Sequence, residues 1–537
     1  MDLESKVVYQ NGRSAVLEIV DGGIYDTKEN YELYLNGTSA GKVKTTIHKI
    51  FNLEPCTHYL AELKKGDEVI SQTNFITDYE RVTLNVRDFG AYGDGEHDDT
   101  LAIQSAIMAC PKQGRVLIPK GYYRFVCLFL KSHVNIELAK GAELSAFTER
   151  EKFPVYPGAI PTTDGTDEYH IGSWEGDPGK MFCALITATH VKDVNIYGEG
   201  TINGNGNFDN WWQNCRDQVI AWRPRMMFLN HCKKINVMGI TVKNSPSWNL
   251  HPFFSKRLLF IGLDILSPKD SHNTDGLDPE SCKDVEILGV HFSVGDDCIA
   301  VKSGKIYMGS KYKTPSENIT IRQCSMNDGH GSITLGSEIG AGVKNIRVRE
   351  CKFTDTDRGL RIKTRRGRGQ DSVIQDVIFE NIRMDGVGTP FVANSFYFCD
   401  FDGKTDYVQA RHPLPVDERT PEIKSLYFRN INVTNARHAA AFLYGLPEKK
   451  IGVVEFEHVR VSYAEDATEG IPAMMCGVGK MKKAGIMAAN VEKLVLKDVE
   501  IIGQEGDEIV TEQVDEIVTE QVDEIVCQNL SERSVIV

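Results

Sequence analysis

The chain has 537 residues, 41% hydrophobic and 25% charged, which suits a large globular core and more than one domain. Its formal net charge of −14 argues against nucleic acid as a partner, and no apolar run reaches the roughly 18 residues of a membrane-spanning helix. The 13 cysteines are scattered without CxxC spacing, and the opening MDLESKVVYQNGR has no basic stretch followed by an apolar one. Reduced thiols in a cytoplasmic protein are therefore expected, or a secreted protein if a signal has been removed from this sequence.

In chain order, residues 1–79 read as a small β domain. Short alternating runs such as Ser14–Val20 and Tyr31–Leu35 are separated by Gly, Asn and Asp turns. Within it, Leu53-Glu-Pro-Cys-Thr-His-Tyr59 resembles the L-x-P-x-T-x-Y stretch of fibronectin type III domains, which implies a β-sandwich with Tyr59 at its corner. Next, Asp99 or Thr100 is expected to cap a helix whose apolar face is Leu101, Ile103, Ala106 and Ile107. The acidic pair Asp98-Asp99 is read as capping rather than as calcium ligation.

From about residue 190 a loose repeat sets in. Asp193-Val-Asn-Ile, Lys234-Ile-Asn-Val, Arg257-Leu-Leu-Phe, Asp284-Val-Glu-Ile, Asn318-Ile-Thr-Ile and Asn345-Ile-Arg-Val are short strands of one type. Recurrence at solenoid spacing with almost no helical periodicity predicts an all-β architecture, a stacked parallel β-helix over residues 80–505. Residues 506–537 form a tail in which Asp507–Val514 is repeated as Asp515–Val522 and then degenerates over Asp523–Leu530. Amphipathic helix, extra strand and frayed tail all remain open for it.

Four motifs follow one another inside the repeat: Asn273-Thr-Asp275, Asp296-Asp297, Gly329-His330-Gly331 and Arg361-Ile-Lys363. Asp275 and the Asp296–Asp297 pair lie about one coil apart. Coils stack at roughly 4.7–4.9 Å, so the carboxylates should cluster and at least one pKa should rise. A protonated carboxyl beside an ionised one is what glycoside hydrolysis requires. Regular strand alternation would send Asp296 and Asp297 to opposite faces, and a bend at Gly295 is the expected remedy.

Together the four motifs resemble those of glycoside hydrolase family 28, the polygalacturonase family, over about residues 82–500. The resemblance implies a right-handed, pectin-lyase-like β-helix and inverting cleavage of α-1,4-galacturonosidic bonds. It makes Asp296 the general acid, and Asp275 and Asp297 the residues that hold and activate water at about 6.5–9.5 Å from the acid. His330 would hydrogen-bond the acid and tune its proton. Arg361 and Lys363, on one strand face, would bind substrate carboxylates, with Arg365 enlarging the basic island and Asn273 and His251 as further sugar contacts. Arg366 and Arg368 could equally be a solvated charge run.

Trp211, Trp212 and Trp248 could stack on sugar but are more readily packing residues, and Tyr397, Tyr407 and Arg411 fall in an irregular insertion, Asn394–Pro415. That insertion, Lys152–Lys180 and the long stretch before His330 could block one end of a groove. This favours removal of mono- or digalacturonate from the non-reducing end. Endo-polygalacturonase and rhamnogalacturonan or xylogalacturonan hydrolysis are the alternatives, and a pectate lyase or a non-catalytic carbohydrate-binding β-helix is disfavoured by the three aspartates. The expected partner is galacturonan or an oligogalacturonate, and the reaction needs no metal and no cofactor.

Overall fold

The computed structural model describes residues 3–520 and two short strands, Val526–Cys527 and Val535–Ile536. The rest of the degenerate third copy of the octapeptide lies outside the described residues. The main body is a right-handed parallel β-helix. The runs picked out by the repeat form a single column: Val194, Ile235, Leu258, Val285, Ile319 and Ile346 pair in parallel register from coil to coil. Alternation points them inward together with Ile196, Val237, Phe260, Ile287, Ile321 and Val348, and all are buried in one core. Burial of such a side chain stabilises by roughly 1.5–3 kcal/mol, so the stack of coils supplies its own cohesion. Each run is preceded by a left-handed residue, from Asp193 (φ 59°) to Asn345 (φ 54°), which turns the corner of its coil.

A second column sets the positions of the motifs. Leu250, Leu277, Ile299, Ile333 and Leu360 are parallel neighbours on five successive coils. Every motif residue can therefore be located by its offset from one of these buried anchors.

The helix Thr100–Ala109 covers the first coils with Ile103, Ala106 and Ile107, whereas Leu101 is exposed. Asp99 holds the N-cap position without capping through its side chain. Its carboxylate instead accepts from the Tyr92 and Gly93 amides at 2.6 and 3.0 Å, while Asp98 accepts from Thr100 N. The orphan amides of the preceding turn thus claim the buried carboxylate. At the other end, Ile509–Glu520 is a strand that pairs in parallel with Ala484–Ile502, so the octapeptide repeat continues the solenoid.

Residues 4–76 form two antiparallel sheets, one of Glu4–Gln10, Ala15–Val20 and Ile47–Ile50, the other of Asp26–Leu35, Thr38–Thr45, His58–Lys65 and Glu68–Ile76. They enclose a separate core that includes Leu17, Leu33, Leu63 and Phe75. Tyr59 OH accepts a hydrogen bond from Glu54 N at 2.9 Å, pinning the chain just before its strand.

This sandwich docks on the outer face of the β-helix, where Tyr9, Val16 and Ile47 meet the outward column Tyr197, Met238, Ile261 and Leu288. Three turn glycines of consecutive coils complete the fit. A β-carbon on Gly289, Gly262 or Gly239 would lie 2.6, 2.7 or 2.5 Å from side-chain atoms of Ile47, Lys49 or Phe51 respectively. Alternate residues of one strand therefore address successive coils. The column ends at Arg322, which is salt-bridged to Glu18, and Gln323 accepts from Tyr25 N.

Candidate active site

Residues three places before the anchors Ile299, Ile333 and Leu360 are Asp296, His330 and Asp357. Stacking puts them in line: His330 N donates to Asp296 O at 3.1 Å, and the His330 ring Nδ1 lies 2.9 Å from Asp357 Oδ2. The ring's hydrogen bond is thus to Asp357, not to the expected acid. It raises the histidine pKa, against some burial and with help from Asp296. Asp357 was not singled out from sequence; its place one coil above GHG was the available signal.

Two places before Leu277, Ile299 and Ile333 stand Asp275, Asp297 and Gly331. The bend after the strand His291–Val294 lets Asp296 and Asp297 approach Asp275 together, and nearest oxygens of the three carboxylates lie within 4.8 Å of one another. Gly295 permits this by close packing, since a β-carbon there would lie 2.6 Å from Pro268 O. Gly331 is required for the same reason: its β-carbon would lie 2.9 Å from Asp297 Oδ1. The nearest oxygens come this close because stacked coils bring neighbours to the coil spacing.

The three carboxylates differ in surroundings. Burial would push Asp297 up, but Lys363 Nζ at 2.7 Å and Arg361 Nη1 at 2.8 Å hold it well below the carboxylate range. These cations reach it from two coils away, across the small Thr334 and Gly336 of the one coil between. Asp275 is pushed well up, first by burial and then by Asp296 and Asp278, and its Oδ1 has no partner among the described residues. Asp296 is the most accessible of the three. A trio this close could in principle hold a metal ion, yet both Asp297 oxygens already meet cations.

A cavity of about 1010 Å³ lies over this cluster. Asn273, Asp275, Asp296, His330, Arg361 and Lys363 all line it. Asn273 also accepts from Arg223 at 2.6 Å. Several lining groups escaped the sequence reading. Lys302 meets Glu338 at 3.0 Å and lies 4.4 Å from the Trp248 ring, and Trp174 stacks on Trp222 at 4.5 Å. Glu175 joins them from the Lys152–Lys180 segment.

Some expected contacts lie elsewhere. His251 is sealed in the interior with Nε2 2.9 Å from Glu280 Oε2; burial drives the histidine well down and Glu280 up to about 8, and the imidazole has no exposed face to offer a sugar. Arg365 does not reach the cavity, because Asp400 and Asp402 hold it at 2.8 and 2.6 Å. Arg366 and Arg368 are buried on Glu448 and Asp400 rather than solvated. Trp211 and Trp212 are core, Tyr407 packs under Arg419, and Arg411 bonds Cys476 O.

The fold and the carboxylate pair beside a basic strand define a β-helix enzyme that cleaves glycosidic bonds. The family described as Glycosyl hydrolases family 28 matches residues 133–476, and Rhamnogalacturonase A/epimerase, pectate lyase-like, matches residues 83–138. The chain belongs to glycosyl hydrolases family 28. A "Probable polygalacturonase" of Vitis vinifera is 30% identical over 388 residues, covering 71% of this chain and 74% of the relative. An "Endo-polygalacturonase" of Pectobacterium carotovorum subsp. carotovorum is 30% identical over 313 residues, 56% of this chain and 72% of its own. The Yersinia enterocolitica family 28 exopolygalacturonase superposes with a TM-score of 0.70 at 19% identity over 96% of this chain and 98% of that one, a likeness of fold.

Proposed function

We propose that the enzyme hydrolyses α-1,4-galacturonosidic bonds with inversion and removes one or two units from the non-reducing end. The observation that carries the reading is the locked state of Asp297. A retaining mechanism needs a carboxylate free to bond the sugar carbon. Asp297 has both oxygens in ion pairs and is fully buried, and Asp275 is nearly sealed, so water is the better nucleophile despite the short carboxylate spacing. Asp296, which faces the cavity, delivers a proton to the leaving oxygen. Asp275, a strong base once ionised, takes the proton of the attacking water. Arg361 and Lys363 add positive charge where a uronic acid would lie.

The exo mode is supported by how the walls are tied. Lys305 Nζ lies 3.7 Å from Asp177 of one insertion and 3.7 Å from Asp400 of the other. The helix Ile306–Tyr312, in the stretch before His330, braces the first insertion through Tyr312 OH to Asp167 at 3.2 Å and Lys305 N to Gly176 O at 2.9 Å. Tyr59 and the three-plus-four strand arrangement support reading the N-terminal sandwich as a fibronectin type III-like module.

Product size and anomeric form test the proposal. On saturated oligogalacturonates and de-esterified polygalacturonate, early release of only mono- or digalacturonate as the β-anomer is expected. A ladder of mixed sizes overturns the exo mode, and an initial α-anomer overturns inversion. No release from any galacturonate overturns the substrate.

A further inference from the structure

Six cations line the cavity: Arg216, Lys302, Arg358, Arg361, Lys363 and Lys404. Four are committed within the protein. Lys302 is paired with Glu338, Arg361 and Lys363 with Asp297, and Arg358 with Asp357 and the carbonyls of Ile471 and Pro472. Arg216 and Lys404 are exposed and have no ion pair or hydrogen bond among the described residues. They come from different walls, Arg216 from the loop around Cys215 and Lys404 from the Asn394–Pro415 insertion. In a chain of net charge −14, two uncommitted cations in one concavity mark a place where an anion is drawn in.

The second observation is independent of charge. Phe401, three residues before Lys404, also lines the cavity and its side chain is wholly exposed. A phenylalanine left in water forgoes the stabilisation its burial would give. Phe398, which lines the same cavity, has the Lys404 ammonium 5.2 Å from its ring centre, so the cavity that holds this cation also holds the free apolar face of Phe401. An apolar face together with a cation is the complement of a uronic acid, which offers C–H groups on one side and a carboxylate at its edge.

We infer that Phe401, Lys404 and Arg216 form an outer subsite that binds an additional uronic acid unit, so that catalytic efficiency depends on chain length. The inference rests on the galacturonan reading.

The test compares kcat/KM on di-, tri- and tetragalacturonate for the wild-type enzyme and for Phe401→Ala, Lys404→Ala, Lys404→Arg and Arg216→Ala. The wild type is expected to prefer a longer oligomer over the dimer. Phe401→Ala and Lys404→Ala should lower that preference roughly tenfold each, equivalent to 1.4 kcal/mol, mainly through KM. Lys404→Arg should retain most of it, and Arg216→Ala should lower it. Equal losses on short and long substrates, or an unaltered preference in all variants, overturn the outer subsite while leaving the galacturonan reading intact. A wild-type enzyme that turns over no galacturonate overturns that reading and this one with it.

Discussion

At the scale of single residues, proton placement governs the chemistry. If Asp296 is the proton donor as proposed, Asp296→Asn removes it without changing size, so kcat should fall by at least about a thousandfold with KM little altered. Single-turnover kinetics on trigalacturonate would check it. Asp357→Asn acts at one remove. His330 is raised in the folded protein by its bond to Asp357, so that pairing stabilises the fold below the ordinary histidine value near 6.5 and is lost as pH rises through the raised one. Without the carboxylate, the alkaline limb of kcat/KM should shift to lower pH, which a pH–rate profile would read directly. That the three aspartates, His330, Arg361 and Lys363 gather at one place could be read from the chain because each falls in a short motif. Asp357, Lys302 and Glu338 could not, since their roles come from neighbouring coils that are tens of residues away in sequence. His251 and Arg365 were misplaced for a related reason. A polar residue near a motif faces the cavity or the interior according to its offset from a buried anchor, which only the register reveals.

At the scale of elements, the site depends on what the coils leave out. Gly331→Ala would push a methyl group against Asp297 Oδ1 and Thr334, so activity should be lost together with roughly 1–3 kcal/mol of stability, measurable by denaturant unfolding. Lys305→Ala separates the two walls. The fold should survive, because both ion pairs are long, but products longer than the dimer should appear in early chromatograms. Strand runs were legible from the repeat because inward positions demand the same apolar character on every coil. The insertions were visible only as irregular lengths; nothing in Lys152–Lys180 or Asn394–Pro415 announces that a lysine between them ties their loops together.

At the scale of the whole molecule, sandwich and solenoid behave as one body. Their interface is apolar at its centre and ends in the buried Glu18–Arg322 salt bridge. Removing residues 1–79 would uncover Met238, Ile261 and Leu288, so the shortened chain should aggregate or melt several degrees lower in calorimetry. Gly289→Val, which meets Ile47, should have a milder effect in the same direction.

The ladder formed by Ile47, Lys49 and Phe51 on Gly289, Gly262 and Gly239 also sets a timetable. The sandwich emerges first during synthesis, but its seat is unfinished until the coil carrying Arg322 and Gln323 has been made. From residue 80 to residue 323 is 244 residues, about 12–50 s of elongation at roughly 5–20 residues per second. Until the coils carrying Tyr197 to Leu288 have stacked, the nascent chain carries an uncovered apolar face made of Tyr9, Val16 and Ile47, so stacking of those coils, rather than folding of the sandwich itself, ends its exposure.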